Sequence, residues 1–188
     1  MAEKGKLFVI SGLSGAGKDS VIEGLVKENL DFNWVVTTTT RPMKPGESEG
    51  HPYHFVSKEK FEEMIKNDEL IEWALVYDNY YGPQKKDVQK LLQVDKPIIF
   101  KIDCQGAKTI KGKFPETKVI FIIPPSIEIL EKRLRTRGTD SEEVIQRRLA
   151  EAKKELSTLE NWDYVVKNEE GKLEETVKKV KEIILKEA

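Results

Sequence analysis

Cysteine is almost absent: Cys104 is the single thiol in 188 residues, so no disulfide can close within the chain, and a reducing compartment, the cytoplasm, is expected. Long apolar runs are missing as well. The longest, such as Val119 to Ile123, fall far short of the ~20 residues a membrane-crossing helix needs. The opening Met1-Ala2-Glu3-Lys4-Gly5-Lys6 carries neither a secretory apolar stretch nor a myristoylation start, and no prenylation box closes the chain, so no membrane role is expected. Neither sign of charge is in excess, since 32 basic and 33 acidic residues leave −1. That balance removes any global electrostatic attraction to nucleic acid or anionic lipid, and basic function must be local. Internal repeats and low-complexity tracts are also lacking. What remains is 38% hydrophobic and 35% charged residues over a length suited to one well-packed domain.

Short apolar runs of strand length recur at Leu7 to Ile10, Trp34 to Val36, Ile98 to Ile102, Val119 to Ile123 and Tyr164 to Val166. Between them the apolar residues take helical spacing: Val21/Ile22/Leu25/Val26, Phe61/Met64/Ile65, Leu130/Leu134, Val144/Leu149/Ala152/Leu156 and Leu173/Val177/Val180/Ile184. Strands apolar on both faces, separated by helices, predict an α/β three-layer fold around a mostly parallel sheet. Ser126 is placed to cap the helix through Leu134, Gly138 to end it, and Asp140 with Glu143 to cap the next. From Thr37 to Tyr53 no helical period survives Pro42, Pro45, Gly46, Gly50 and Pro52, and the stretch reads as a loop. Lysines from Lys172 to Lys186 read as the solvated face of an amphipathic helix.

The first strand runs straight into Ser11-Gly12-Leu13-Ser14-Gly15-Ala16-Gly17-Lys18-Asp19-Ser20 and then a helix, which is the setting of a phosphate-binding P-loop. Glycines let the backbone wrap a polyphosphate, its N–H groups and the helix N-terminus supply donors, and Lys18 neutralises the β and γ oxygens. Gly12, Leu13, Ser14, Gly15, Ala16, Gly17, Lys18, Asp19 and Ser20 are therefore the expected ATP-binding residues. Asp19 stands where the pattern has a hydroxyl. A carboxylate can ligate Mg²⁺ through a hard oxygen, and it can also pair with Lys18.

Together with this loop, Thr37-Thr38-Thr39-Thr40-Arg41-Pro42-Met43-Lys44-Pro45-Gly46-Glu47, Gly50-His51-Pro52-Tyr53-His54-Phe55-Val56-Ser57, Leu70-Ile71-Glu72-Trp73-Ala74, Asn79-Tyr80-Tyr81-Gly82, Ile102-Asp103-Cys104-Gln105-Gly106 and Ile123-Pro124-Pro125-Ser126 follow in order over nearly the whole chain. In this the sequence resembles the guanylate kinase family. The resemblance implies Mg²⁺-dependent transfer of a phosphoryl group from ATP to GMP or dGMP, and one domain spanning 4–187. Its core would comprise 4–33, 97–136 and 160–187, with a GMP-binding insertion at about 34–96 and a helical lid at about 137–159. It also implies GMP contacts from Thr37, Arg41, Lys44, Tyr53, Glu72, Tyr81 and Asp103, and catalytic charge from Lys18, Arg137 and Arg148. The chemistry agrees. Guanine offers two adjacent donors, N1–H and the N2 amino group, which a carboxylate such as Glu72 or Asp103 accepts and adenine cannot imitate. A guanidinium fork and two phenols suit a phosphate. Arg133 and Arg135, near the same turn, are expected to be solvated.

Four positions depart from the family pattern: Asp19, Lys44 in place of a second phosphate-binding arginine, Pro83 in place of a hydroxyl that touches guanine, and Lys101 in place of an acidic residue. Asp19 and Lys101 have exchanged charge types, so they are expected to lie within ion-pair reach across the phosphate site, with Asp19 taking the Mg²⁺. Lys44 keeps charge without the fork, and Pro83 removes a donor, so guanine preference should survive but relax. Two other readings remain open here: a related kinase phosphorylating another acceptor such as ribose bisphosphate, and a non-catalytic guanylate-kinase-like binding module. ATP and GMP are the expected partners, with no nucleic acid or membrane, and the chain is expected to be a monomer or homodimer.

Overall fold

The described residues of this computed structural model are 5–76, 78–138 and 140–188. Met1 to Lys4, where the expected domain span and the absence of a leader were read, lie outside them, as do Tyr77 and Thr139. In chain order the elements are β1 (Leu7–Gly12), α1 (Lys18–Lys27), β2 (Asn33–Trp34), β3 (Thr37–Thr39), β4 (Ser48–Glu49), β5 (Pro52–Phe55), α2 (Lys58–Lys66), β6 (Ala74–Val76), β7 (Asn79–Pro83) and α3 (Lys85–Leu91). They continue with β8 (Ile98–Lys101), α4 (Cys104–Lys113), β9 (Lys118–Ile123), α5 (Ile127–Arg137), α6 (Glu142–Leu156), a 3₁₀ turn at Leu159–Asn161, β10 (Tyr164–Lys167) and α7 (Leu173–Glu187).

The uninterrupted apolar runs form one sheet in the order β10-β9-β1-β8-β2, parallel at every junction. β1 lies at its middle with all its residues buried, as a strand covered on both faces requires. Parallel neighbours need crossovers, and helices supply them: α4 links β8 to β9 and packs across β1 and β9, while α1 packs on α7. The fold is therefore α/β with a parallel central sheet, as the pattern of runs predicts. Helix punctuation also follows the sequence in α5, where Ser126 Oγ accepts from Ile129 N–H at 3.3 Å and Gly138 ends the helix at φ 64°.

Four local expectations are corrected. The stretch 37–53 is not all loop, because β3, β4 and part of β5 lie in it. These belong to a second sheet, ordered β4-β5-β3-β7-β6, whose β3–β7 and β6–β7 pairs are antiparallel. Its strands are short and interrupted by proline and glycine, and Thr37, Thr38 and Thr39 are buried by cross-strand pairing rather than by apolar pattern. Val26 is 55% exposed, since Val21, Ile22 and Leu25 already fill the core face of α1; in α6 the buried residue is Ile145 rather than Val144. Finally, α6 is capped by Ser141, whose hydroxyl accepts from Val144 N–H at 3.5 Å, while Asp140 turns elsewhere.

Candidate active site

β1 ends at Gly12 and α1 begins at Lys18, so the intervening loop must reverse tightly. Gly17 takes φ +98°, and a Cβ there would sit 2.4 Å from Asn168 Nδ2, so glycine alone fits. Asn168, buried just past β10, donates to Ala16 O at 2.8 Å and accepts from the Thr176 hydroxyl at 3.3 Å. Arg133 of α5 donates to Asn168 O at 2.9 Å and Ala16 O at 3.4 Å. Arg133 thus braces the back of the loop and is not solvated as expected; it gives Ala16 O a second donor beside Asn168 and satisfies Asn168 O. Arg135 does face solvent, paired with Glu131 and Glu142. Leu13 and Ala16 are fully buried anchors, and Ser20 is exposed on the first turn of α1.

Ser14, Lys18 and Asp19 face a cleft of about 650 Å³ that also receives side chains from the second sheet. Lys18 Nζ donates back to Gly12 O at 2.6 Å and Leu13 O at 3.1 Å. Burial lowers its pKa, against the pull of Asp19 and Glu155. Glu155 of α6 also accepts a hydrogen bond from the Cys104 thiol, which burial pushes well above its ordinary range. Asp19 Oδ1 lies 2.5 Å from Lys101 Nζ, so the two exchanged charges do meet. Burial opposes the Asp19 charge, but Lys101, then Lys18 and Arg137, outweigh it and hold the carboxyl below its usual range. Lys101, at the end of β8, lies 5.3 Å from the Trp34 ring centre and 4.9 Å from that of Tyr53.

Deeper in the cleft, Glu72 is 6% exposed. Its carboxyl lies against Gly106 in the first turn of α4, where a Cβ would come within 3.0 Å of Glu72 Oε1. Asp103 caps the same helix, its Oδ1 accepting from Gly106 N–H at 2.7 Å. Burial first, and the neighbouring Asp103 charge second, raise the Glu72 pKa to about 8, with Lys113 pulling the other way. Thr37 borders this end of the cleft and pairs in register with Pro83.

Arg41 donates to both oxygens of Glu47, at 2.7 and 3.0 Å, with its guanidinium 5.4 Å from the Tyr53 ring centre and 5.7 Å from that of Phe55. Tyr53 and Tyr81 meet edge-on at 5.8 Å, and burial raises the Tyr81 phenol. Glu47 also accepts from Lys44 N–H at 2.7 Å, so one carboxylate ties both cationic residues to their turn, leaving the Lys44 side chain on the cleft. Arg137 reaches the cleft from the end of α5. Arg148 of α6 reaches it while paired with Asp140 at 3.0 Å, both side chains being largely buried.

The cleft therefore gathers Ser14, Lys18, Asp19, Thr37, Arg41, Lys44, Tyr53, Glu72, Tyr81, Asp103, Arg137 and Arg148. From the sequence no site role is expected for Glu47, Trp34, Asn168 or Glu155, and Asp140 is expected only to cap α6. Only Asn168 had a local signal, a lone amide directly after an apolar strand. Among the described residues no group of three or more His, Cys, Asp or Glu is arranged to hold a metal. Asp19 offers a single carboxylate beside the loop, its Oδ1 already paired with Lys101. That fits Mg²⁺ arriving with a nucleotide, for which one carboxylate plus phosphate oxygens and water suffices.

Comparison with known proteins gives one consistent result. The profile of the family described as guanylate kinase matches residues 4–187. The chain is 44% identical to a guanylate kinase of Zymomonas mobilis over 98% of its own length and 85% of that protein's. It is 44% identical to one from Rickettsia felis over 98% of its length and 95% of the relative's. The crystal structure of guanylate kinase from Anaplasma phagocytophilum superposes with a TM-score of 0.79 at 33% identity, covering 98% of this chain and 87% of that one.

Proposed function

The chain belongs to the guanylate kinase family and transfers a phosphoryl group from ATP to GMP, and we propose that it does so with the cleft residues in the following roles. The loop from Gly12 to Ser20 holds ATP, its backbone N–H groups and Lys18 meeting the phosphates. Glu72 and Asp103, with Thr37, read the guanine edge. Arg41, Tyr53, Tyr81 and the Lys44 charge hold the GMP phosphate. The supporting observation is that a carboxyl pair, Glu72 buried and Asp103 half-buried, an arginine–tyrosine clamp and the P-loop lysine share one cleft.

The acceptor is an ionised phosphate oxygen, so no side chain need act as base or nucleophile, and catalysis reduces to positioning and charge stabilisation. Arg137 and Arg148 contribute that charge from the segment 137–159, which we assign as the lid; we assign about 34–96 as the GMP-binding part, except that Trp34 belongs with β2 in the central sheet. Closure of the lid excludes water, so GMP rather than water accepts the phosphoryl group. Asp19 is the residue that would hold Mg²⁺, which when bound supplies charge neutralisation at the β and γ oxygens. A cytoplasmic enzyme acting on free nucleotides as a monomer or homodimer accords with the single free thiol, half-buried at Cys104. No helix among the described residues is long and apolar enough to cross a membrane.

ADP release coupled to NADH oxidation tests this reading. Turnover should require GMP or dGMP, with AMP and IMP far slower. Release indifferent to GMP would favour a different phosphorylated acceptor, and none with any acceptor would favour a binding module. Equal rates with AMP and GMP would remove the guanine-reading role of the two carboxylates.

A further inference from the structure

Lys101 stands between the two phosphate-binding halves of the cleft, and its surroundings cannot be explained by its ion pair alone. Its side chain is 8% exposed, whereas that of its partner Asp19 is 67% exposed. The Asp19 carboxylate is already within reach of the Lys18 and Arg137 charges, so it does not depend on Lys101 alone for neutralisation. Burying an ammonium is costly unless it is paired and has further partners. Here the ammonium is pinned by Asp19 at 2.5 Å on the loop side and held near the Trp34 and Tyr53 rings on the other. The Tyr53 ring is flanked in turn by Arg41, so the order Asp19, Lys101, Tyr53, Arg41 runs from the ATP loop to the clamp assigned to the GMP phosphate.

We propose that Lys101 is a further catalytic residue, whose ammonium contacts the GMP phosphate and the phosphoryl group passing to it. Asp19 and Tyr53 aim it, as a point charge fixed on the strand end rather than on the lid. A group in that place stabilises negative charge on the acceptor before the lid arginines arrive. It also screens the repulsion between two anionic phosphates brought together. The inference rests on the assignment of Arg41, Tyr53 and Tyr81 to the GMP phosphate and of the loop to ATP.

Calorimetry with GMP and with guanosine, which shares the base but has no phosphate, separates the possibilities. Lys101→Gln keeps an amide donor for Asp19 and removes the charge. It should weaken GMP binding about tenfold, lower kcat roughly a hundredfold and leave guanosine binding unchanged. Lys101→Arg should keep most of both. In Asp19→Asn/Lys101→Gln the loss should persist, whereas a lysine serving only to neutralise Asp19 would let GMP affinity recover, which overturns the proposal. Unchanged GMP affinity and turnover in Lys101→Gln overturn it as well. If Lys101→Gln does not fold, Lys101→Met, which keeps the stem beside the rings, takes its place; loss of guanosine binding in every variant marks a structural role and overturns it. Wild-type protein that binds neither GMP nor guanosine would instead overturn the site assignment, leaving the two failures distinct.

Discussion

Lowering the pH from 9 to 7 is expected to weaken GMP binding about tenfold through Glu72. Burial and the Asp103 charge raise this carboxyl to about 8, so at pH 7 the nucleotide-free protein carries it mostly protonated. A protonated carboxyl points a donor at the guanine edge, where N1–H and the N2 amino group are both donors; only the ionised form offers two acceptors. If the ionised form alone binds, the apparent Kd scales as 1 + 10^(pKa − pH), about 11 at pH 7 and about 1.1 at pH 9, and the ionisation costs about 1.4 kcal/mol at pH 7. Titration calorimetry in two buffers of different ionisation enthalpy should detect about 0.9 proton released per GMP bound at pH 7 and almost none at pH 9. The GMP phosphate, with a second pKa near ~6, is largely dianionic across this range. Guanosine repeats the measurement without it.

The same shift fixes the sign of a stability effect. The folded pKa lies above the unfolded value near 4.5, so the proton on Glu72 favours the folded state, and that contribution is lost as pH rises from 4.5 through about 8. Glu72→Gln, which stays neutral, should therefore melt higher than the wild type at pH 9, yet bind GMP weakly and without pH dependence. A GMP affinity that is flat from pH 7 to 9 with no proton release, in protein that binds guanosine, refutes the reasoning.

Gly106→Ala puts a methyl against the Glu72 carboxyl, with the nearest oxygen 3.0 Å away. Because alanine also favours the helix, Tm should change little while KM for GMP rises about tenfold and KM for ATP holds, read by steady-state kinetics. Gly17→Ala meets Asn168 at 2.4 Å in a left-handed conformation, so it should cost about 1–3 kcal/mol in urea unfolding and abolish detectable ADP binding. Arg137→Ala should lower kcat by about 10³ with KM for GMP nearly unchanged in the same assay; an effect confined to KM would remove its transition-state role.

The parts of this protein that were legible in the sequence are those written locally. β1, β8, β9 and β10 are unbroken apolar runs, the loop glycines sit between a strand and a helix, and Ser126 and Gly138 mark their helix ends within a few residues. The second sheet was not legible as a sheet. Its strands are too short to show a period of two, and Thr37 to Thr39 are buried by partners far along the chain. Arg133 failed for the same reason. On a helix rich in charge it looks like any solvated arginine, and its acceptors, Ala16 and Asn168, belong to other elements. Asp140 misled differently: it stands one residue before the true cap, Ser141, and only the fold brings Arg148 of the next helix to it.

Asp19 and Lys101 are the instructive contrast, 82 positions apart and yet foreseeable as a pair. Each breaks a motif whose place in the fold is already fixed, so each departure comes with an address, and two departures of opposite sign at adjacent addresses imply one contact. Glu47 lies in the same motif as Arg41 and Lys44, but no departure marks it, although it binds both. The same logic bears on the net charge of −1, which could only exclude a broadly basic or acidic partner. Among the described residues of the cleft, Glu72 and Asp103 carry no arginine or lysine ion pair, whereas Lys18, Lys44, Lys101, Arg41, Arg137 and Arg148 outnumber the acids Asp19, Glu47 and Asp140 that pair among them. A ligand complementary to that arrangement carries hydrogen-bond donors for the two carboxyls and anionic charge for the excess cations. Inorganic phosphate meets only the cations, and a free base only the carboxyls. A guanine nucleotide satisfies both, and because Glu72 must lose its proton to do so, recognition of the base adds negative charge to a site whose phosphate end is already cationic.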